Sequence, residues 1–312
     1  MFIFIILKNG NGRSDLRQGA GRAGFRLARL PANTATLGAM ARQRMAQHFL
    51  RDLGWRKRIL ATLPCDSTDT WIEIGAGHGE MTELLSPFGR SVIAIEGDPS
   101  LAAELRERIE ADPQAWPGVG VVSGDALSQN LAKLAGGERF RVYGNLPYYI
   151  TSPILHHLFA YADWIDSIHV VIQLEVAERI VAQPGVREYG YLSVACQFYT
   201  KPKIALRLPP GAFRPPPKVD SALVEMALPG ERSSLRIGDS RDEKHFLKFV
   251  QTCFGQKRKT LRNNLLIMAS DEYIKAALAK IGLRSDARAE QLTLTQFAKA
   301  WRLLAGENLE SG

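Results

Sequence analysis

The sequence predicts an α/β fold in which a doubly wound, mostly parallel sheet is followed by a smaller all-helical domain. Three observations lead to this prediction. Short β-rich runs alternate with helical patterns from Thr70 onward, a glycine-rich turn follows the first run, and the pattern beyond Ser240 is helical only. Strands alternating with helices are typical of a parallel sheet. A chain of 312 residues with 46% hydrophobic content can bury one sizeable core and a smaller second one.

Four segments are predicted, at residues 1–39, 40–230, 231–240 and 241–312. The first contains six basic residues and one acid without clear periodicity, so we interpret it as a disordered arm. Its Arg-rich, acid-poor composition also fits an organellar transit peptide, and Met40 is an alternative start. The expected location is therefore the cytoplasm, with the mitochondrion as the alternative if the arm is a transit peptide.

The three cysteines lie far apart and form no CxxC pair, which argues against a disulfide framework or a zinc cluster. The apolar run at residues 2–7 is too short to span a bilayer and lacks the features of a secretory signal. No membrane role is expected. The net charge of +8 and the pI near 9.5 favour a polyanionic partner.

The parallel strands are predicted at five β-rich runs, at residues 71–74, 91–95, 119–122, 140–143 and 168–172. Two further runs, at residues 203–208 and 222–228, have Pro-rich turns between them and predict an antiparallel hairpin at one edge, so the sheet would be mixed. The following stretch to residue 240 is rich in Pro, Gly, Ser and charged residues, which predicts a linker to the helical domain at 241–312.

The first predicted strand ends in a glycine-rich turn at residues 73–79, with glycines at positions 75, 77 and 79. Glycines allow the chain to turn sharply and bring its backbone close to a ligand at the start of a helix. A dinucleotide site of the GxGxxG type needs a glycine where this chain has Glu80, so the turn favours a smaller cofactor without a phosphate. By itself, the pattern is also compatible with an ordinary turn.

Acidic residues end the next two predicted strands. Glu96 is placed to accept hydrogen bonds from ribose hydroxyls, and Asp125 is placed to accept one from an adenine amine. Each has an ordinary alternative, since Glu96 also fits a solvated strand end and Asp125 a helix cap. In this order, however, the pattern formed by Gly75, Glu96 and Asp125 resembles that of the class I methyltransferases that depend on S-adenosyl-L-methionine. The resemblance implies that cofactor and a Rossmann-like fold.

The fourth predicted strand is followed by Asn145-Leu146-Pro147-Tyr148. An adenine N6 amine is a poor nucleophile because its lone pair is delocalised into the ring. We interpret the Asn145 side-chain oxygen and the Leu146 carbonyl as acceptors for both amine hydrogens, which would aim the lone pair at the methyl donor. Tyr148 offers a ring on which a flipped base can stack. The alternative is an Asn-x-Pro turn with a buried tyrosine, but its place after three cofactor strands favours the reactive site.

Four stretches occur in one order: residues 47–50 (QHFL), the glycine turn, residues 145–148 (NLPY) and residues 213–221 (FRPPPKVDS). On these stretches the chain resembles the ribosomal RNA adenine dimethyltransferases, over roughly residues 40–305. The resemblance implies N6,N6-dimethylation of two adjacent adenosines near the 3′ end of small-subunit rRNA. It also implies that the partner is this rRNA or an immature small ribosomal subunit, and we expect a monomer.

The resemblance further implies the site residues. The cofactor-binding residues would be His48, Leu50, Gly75, Glu96, Asp125 and Asn145. The catalytic residues would be Asn145, Leu146, Tyr148 and Phe213, with Tyr148 and Phe213 stacking on the target base; the alternative for Phe213 is an ordinary core residue. The chain departs from the usual Gly-Gln-Asn-Phe-Leu motif at Ala46 and His48, although an imidazole still donates one hydrogen bond. No other histidine stands at ligand spacing to His48, so no metal is expected.

The helical end carries most of the positive charge. Residues 241–302 contain thirteen Lys or Arg against six Asp or Glu. Within them, Lys257, Arg258, Lys259 and Arg262 are predicted to contact RNA phosphates, with a solvated helix face as the alternative. Two other functions stay open: a large-subunit rRNA adenine methylase of the antibiotic-resistance type, and a mitochondrial transcription factor of related fold that mainly binds nucleic acid.

Overall fold

The computed structural model describes residues 48–256 and 258–305. The predicted arm at residues 1–39, together with Ala46 and Lys257, lies outside the described residues.

A seven-stranded sheet in the order β4-β3-β2-β5-β6-β9-β7 forms the centre of the described chain. Its strands are β2 Thr70–Ile74, β3 Ser91–Glu96, β4 Val119–Ser123, β5 Phe140–Asn145, β6 Ile165–Gln173, β7 Lys201–Leu208 and β9 Ser221–Ala227. Strands β2 to β6 are parallel to one another, whereas β9 pairs antiparallel with both β6 and β7. The predicted mixed sheet with an antiparallel pair at one edge is confirmed. A separate two-stranded ladder joins β1 Phe49–Leu50 to β8 Phe213–Arg214.

The strand order reverses at β2. The chain first builds outward from β2 through β3 to β4, and it then crosses to the other side of β2 to form β5 and β6. The carboxyl ends of β2 and β5 therefore lie side by side at a topological switch point, which is where α/β sheets form their ligand crevices.

The described helices are α1 Leu53–Leu60, α2 Thr82–Leu85, α3 Pro99–Ala111, α4 Leu131–Leu134, α5 Thr151–Phe159, α6 Leu174–Val181, α7 Tyr191–Tyr199, α8 Arg232–Leu235, α9 Ser240–Cys253, α10 Leu261–Leu265, α11 Asp271–Lys280 and α12 Leu294–Ala305. Alternate strand residues point to opposite faces of the sheet. On β2, Trp71 packs in one hydrophobic cluster with Ile59 of α1, and Ile72 packs in another with Leu155 of α5. Both faces are covered, which is why the strands are continuous apolar runs. Within the described ranges, no helix is long and apolar enough to cross a membrane.

The hydrophobic cluster that contains Ile72 continues into the helical end, where it includes Phe246 of α9 and Phe297 of α12. The segment predicted as a linker contains α8, and both Leu235 and Ile237 are buried in that same cluster. The sequence does not predict that these two residues are buried, because an isolated Leu and Ile among charged and polar neighbours give no periodic hydrophobic signal. The predicted division into domains stays a prediction.

Candidate active site at the carboxyl ends of the parallel strands

The predicted site residues follow adjacent strands at one edge of the sheet. Ile74, the last residue of β2, pairs with Ile95 on one side and with Gly144 on the other. The amide of Gly124 donates to the carbonyl of Glu96 across 2.9 Å. A Cβ added to Gly75 would lie 3.8 Å from the carbonyl oxygen of Asn145. The structure thus brings the glycine turn, the two strand-end acids and the NLPY motif to the same end of the parallel strands, where α/β sheets form their ligand crevices.

The glycine turn has a backbone conformation that residues with a side chain rarely adopt. Gly77 has φ 59° and Gly79 has φ 84°, and a Cβ on Gly79 would lie 2.5 Å from Leu105 Cδ1. The amides of Gly75 and Ala76 donate to the carbonyl of Ile95 at 2.8 and 3.3 Å. The turn is therefore held by hydrogen bonds to β3 and does not present a row of free amides for a phosphate. This geometry agrees with a phosphate-free cofactor.

Glu96 is oriented by two backbone amides. Its Oε2 accepts from Gly77 N and its Oε1 accepts from Asp98 N, both at 2.8 Å, and its side chain is buried. Each carboxylate oxygen can accept a further hydrogen bond. A carboxylate held in this way is able to receive both hydroxyls of a ribose.

Asp125 lies exposed at the end of β4. Its Oδ1 accepts from Leu127 N at 3.0 Å and caps the 3₁₀ turn Ala126–Ser128. The helix-cap alternative is thus observed, but it uses only one carboxylate oxygen. The second oxygen can still accept from an exocyclic amine, so a cofactor role for Asp125 stays a prediction.

The side chain of Asn145 has a defined orientation. Its Nδ2 donates to the carbonyl oxygen of His48 across 2.8 Å. Because a carbonyl can only accept, this contact assigns the amide nitrogen and leaves Oδ1 as the group available to accept a hydrogen bond from a ligand.

The backbone that follows Asn145 is also held in place. Leu146 donates its amide to Val171 O at 3.0 Å, and its side chain is buried. A Cβ on Gly144 would lie 2.8 Å from Leu146 Cδ2 and 3.0 Å from Ile74 O, so this position has no room for a larger residue. The Leu146 peptide is therefore rigid before any ligand binds.

His48 connects three of the sequence motifs. Its Nδ1 donates to the carbonyl of Pro215 at 2.8 Å, its own carbonyl receives Asn145 Nδ2, and its ring centroid lies 5.7 Å from that of Tyr148. The ring is turned toward the 213–221 segment. Its predicted contact with a cofactor stays a prediction.

Tyr148 and Phe213 differ in their surroundings. The Tyr148 hydroxyl lies 2.9 Å from Ser221 Oγ, and partial burial raises the pKa of Tyr148 above its ordinary value, although the hydrogen bond with Ser221 acts in the opposite direction. Phe213 is only 1% exposed and pairs in the β1–β8 ladder with Leu50, which is also buried. Base stacking by Phe213 would require its ring to be uncovered. The roles predicted for Phe213 and Leu50 stay predictions.

The predicted site residues do not include Glu73, a buried acid in β2 just before the glycine turn. Glu73 is 3% exposed and its Oε2 accepts from Thr82 Oγ1 at 2.5 Å. Burial, against the opposing effect of the Thr82 hydrogen bond and with smaller contributions from the nearby Glu80 and Glu96, raises the pKa of Glu73 to about 8. The carboxyl group is therefore mostly protonated at neutral pH. The signal for it in the sequence is a single acid within the apolar strand β2.

The basic cluster has unequal members. Arg258 and Lys259 are exposed. Arg262 instead donates through Nε and Nη2 to Asp271, with Nη2 at 2.8 Å, and Lys275 Nζ lies 2.7 Å from the same carboxylate. The hydrogen bonds from these two cations lower the pKa of Asp271 to about 2. Because its charge is already paired, Arg262 is less available to a phosphate than Arg258 or Lys259 is.

The part of the chain that the structure describes contains no group of three or more His, Cys, Asp or Glu side chains that could hold a metal ion. The side chains of Glu96, Asp125 and Asn145 can each accept a hydrogen bond, and the Tyr148 ring offers a planar surface; their roles toward a cofactor or a base stay predictions.

This fold and this crevice define a Rossmann-like methyltransferase. The family model described as ribosomal RNA adenine dimethylase matches residues 38–305. The chain belongs to this family and is an rRNA adenine dimethyltransferase, which requires a methyl donor.

Two relatives are named ribosomal RNA small subunit methyltransferase A. The one from Acidobacterium capsulatum is 39% identical over 86% of this chain and 93% of that protein. The one from Koribacter versatilis is 38% identical over 88% of this chain and 95% of that protein.

Two solved structures are similar over most of the chain. A dimethyladenosine transferase from Plasmodium falciparum has a TM-score of 0.70 and 25% identity, and the match covers 84% of this chain and 98% of that one. The 23S rRNA methyltransferase ErmE has a TM-score of 0.61 and 26% identity, with 82% and 99% covered.

Proposed function

We propose that this enzyme uses S-adenosyl-L-methionine to convert two adjacent adenosines near the 3′ end of small-subunit rRNA to N6,N6-dimethyladenosine, as a step in ribosome assembly. The observation that carries the proposal is the orientation of Asn145. Its Nδ2 is bound to the His48 carbonyl, so its Oδ1 is the acceptor that remains at the end of β5, next to the glycine turn.

The residues at the carboxyl ends of the parallel strands have the hydrogen-bonding groups that this cofactor would need. Glu96 would hold the ribose and Asp125 the adenine amine, while Gly75, at which an added Cβ would meet no atom closer than 3.8 Å, would let the ligand approach the backbone. When bound, S-adenosyl-L-methionine supplies an electrophilic methyl group. The internal hydrogen bonds of the turn and of Glu96 mean that little reorganisation is needed on binding.

Asn145 and Leu146 would activate the target amine by orienting it. The Asn145 Oδ1 and the Leu146 carbonyl accept its two hydrogens, which makes the nitrogen more sp3-like and directs its lone pair out of the ring plane. Each transfer would form the N–C bond as the bond from the methyl carbon to sulfur breaks, and the thioether leaves as S-adenosyl-L-homocysteine. The cationic amine then releases one proton to solvent, so that a single N–H remains after the first methylation and rotation of the amine allows a second transfer. No general base has to remove a proton first.

Tyr148 would stack on the flipped adenine. Its hydroxyl is bonded to Ser221, which limits the movement of the ring. At neutral pH the raised pKa keeps the phenol uncharged. The ring therefore acts as an apolar surface and not as a base.

Small-subunit rRNA is favoured over the alternatives. The relatives that are 38–39% identical carry the small-subunit name, whereas the likeness to a 23S rRNA methyltransferase is 26% identity with a lower TM-score than that of the dimethyladenosine transferase. The intact arrangement of Asn145 and the glycine turn supports catalysis over a purely structural role in transcription. Exposed Arg258 and Lys259 would contact rRNA phosphates, and we expect a monomer in the cytoplasm.

The test is to incubate the full chain and S-adenosyl-L-methionine separately with free small-subunit rRNA, immature small subunits and large-subunit rRNA. Mass spectrometry of nuclease digests identifies the product, and reverse transcription locates it. We expect N6,N6-dimethyladenosine at two adjacent positions of the small-subunit rRNA. Modification of large-subunit rRNA alone, or methylation of cytosine or ribose, would overturn the proposal.

A further inference from the structure

The short turn after Pro147 directs three consecutive side chains to three different environments. Tyr148–Ile150 is a 3₁₀ helix, closed by a hydrogen bond from Ile150 N to Pro147 O at 3.1 Å. With three residues per turn, neighbouring side chains point about 120° apart. Tyr148 reaches Ser221 and Ile150 packs against the hydrophobic core. Tyr149 remains, and it is 57% exposed.

Tyr149 places a large, exposed aromatic ring beside the proposed reaction centre. Contact with a ligand would bury this ring, which is favourable. The hydrogen bond between Tyr148 and Ser221 joins this turn to the 213–221 segment. On that segment Val219 is 47% exposed, and both Arg214 and Lys218 are exposed. The turn that carries Tyr149 and the segment that carries Arg214, Lys218 and Val219 are thus neighbours, and both expose side chains that suit RNA.

The two cations on this segment are not neutralised by nearby acids. Arg214 Nη1 donates to the carbonyls of Gly211 and Phe213 at 3.3 and 2.9 Å, which positions the guanidinium but leaves its charge. Over residues 48–256 and 258–305, neither Arg214 nor Lys218 forms an ion pair with a carboxylate. Residues 213–221 contain two cations, Arg214 and Lys218, and one acid, Asp220, so the net charge of this segment is positive.

We propose that Tyr149 stacks on the base of the nucleotide that flanks the target adenosine, while Arg214 and Lys218 contact the phosphates of the same strand. Exposed aromatic rings beside unpaired cations are the features that bind single-stranded nucleic acid. The flanking nucleotide must therefore be unpaired, because a base within a duplex has no free face for Tyr149. This inference rests on the proposed function and specifies the form of RNA that the crevice accepts.

The test compares Tyr149→Ala with Tyr149→Phe, which keeps the ring. Phe88→Ala is the matched control. Phe88 is also an exposed aromatic residue, but it precedes the amino end of β3, whereas Tyr149 follows the carboxyl end of β5. The probe is a short single-stranded RNA with two central adenosines and 2-aminopurine at the flanking position. Its affinity for each full-length variant and the quenching of its fluorescence are measured, alongside the KM for small-subunit particles and for the methyl donor.

Tyr149→Ala should weaken RNA binding and raise the RNA KM on the order of 5- to 100-fold and abolish the quenching, as expected when one base stack is removed. Tyr149→Phe should keep both, and the donor KM should not change. In the Arg214→Ala and Lys218→Ala variants, the salt dependence of RNA binding should become shallower, by about 0.7 in slope for each phosphate that is no longer neutralised.

Parent-like affinity and quenching in Tyr149→Ala, or equal losses in the alanine and phenylalanine variants, would overturn the stacking. So would equal binding of the same RNA in a duplex. These binding measurements do not depend on turnover. Failure of the parent enzyme to form dimethyladenosine is therefore a separate outcome, which would reject the proposed function.

Discussion

Replacement of His48 tests how the crevice is assembled. His48→Ala removes the hydrogen bond to Pro215 and the ring contact with Tyr148, but it keeps the backbone carbonyl that orients Asn145. One neutral hydrogen bond contributes about 1 kcal/mol, and an aromatic pair contributes about 0.5–1.5 kcal/mol. If both contacts act only on the geometry of the reacting groups, the sum of about 2 kcal/mol corresponds to roughly 30-fold in kcat.

The assay is steady-state methylation of small-subunit particles, with kcat and the KM for S-adenosyl-L-methionine measured separately. His48→Ala should lower kcat and leave that KM within about twofold, because the imidazole is turned toward Pro215. His48→Asn restores a donor without the ring, and His48→Phe restores a ring without the donor. Each should recover part of the loss. A large rise in the cofactor KM with unchanged kcat would refute this reasoning and favour the direct cofactor contact implied by the family motif.

Three further predictions concern the cofactor, RNA and pH. Glu96→Ala and Asp125→Ala should each weaken S-adenosyl-L-methionine binding by about 1–3 kcal/mol, which is the usual contribution of hydrogen bonds to a charged group. If calorimetry shows unchanged affinity in both variants, the assignment of these residues to the cofactor site is wrong. The Arg258→Ala/Lys259→Ala double variant should lower RNA affinity, and the salt dependence of that affinity, more than Arg262→Ala does. The reason is that Arg262 is already paired with Asp271. A larger effect of Arg262→Ala would contradict this prediction. Burial, together with the nearby Arg141 and Lys203, lowers the pKa of His169 from 6.5 to about 4. The neutral form is therefore favoured in the folded state, so its contribution to stability is present above pH 6.5 and declines as the pH falls to about 4. Denaturant titrations of the parent and His169→Gln across this range should converge in acid, and a constant difference would exclude this origin.

Much of the fold could be predicted because each strand carries its own local signal. The runs ending in Ile74 and Glu96 are apolar over most of their length, and all seven predicted strands of the main sheet are present. The sequence could not show that β9 is inserted between β6 and β7, because antiparallel pairing depends on long-range packing. The glycine turn, Glu96 and Asn145 could be placed at one edge, since parallel strands bring their carboxyl ends together.

The contacts that orient the site could not be predicted in the same way. Asn145 is oriented by the carbonyl of His48, a residue that is 97 positions away in the sequence, and no local pattern encodes such a pairing. The same limit applies to Phe213, whose burial depends on its ladder with Leu50. A run of basic residues likewise does not reveal that Arg262 is paired with Asp271.

The most direct test of the central claim is the dimethyladenosine formed by Asn145→Ala, measured by mass spectrometry under single-turnover conditions, with circular dichroism and RNA affinity as checks on the fold. Loss of the Oδ1 acceptor should reduce methyl transfer on the order of 100-fold or more, as for other preorganised polar contacts to a transition state. RNA affinity should remain close to that of the parent enzyme. Near-normal formation of dimethyladenosine by a correctly folded Asn145→Ala enzyme would contradict the account.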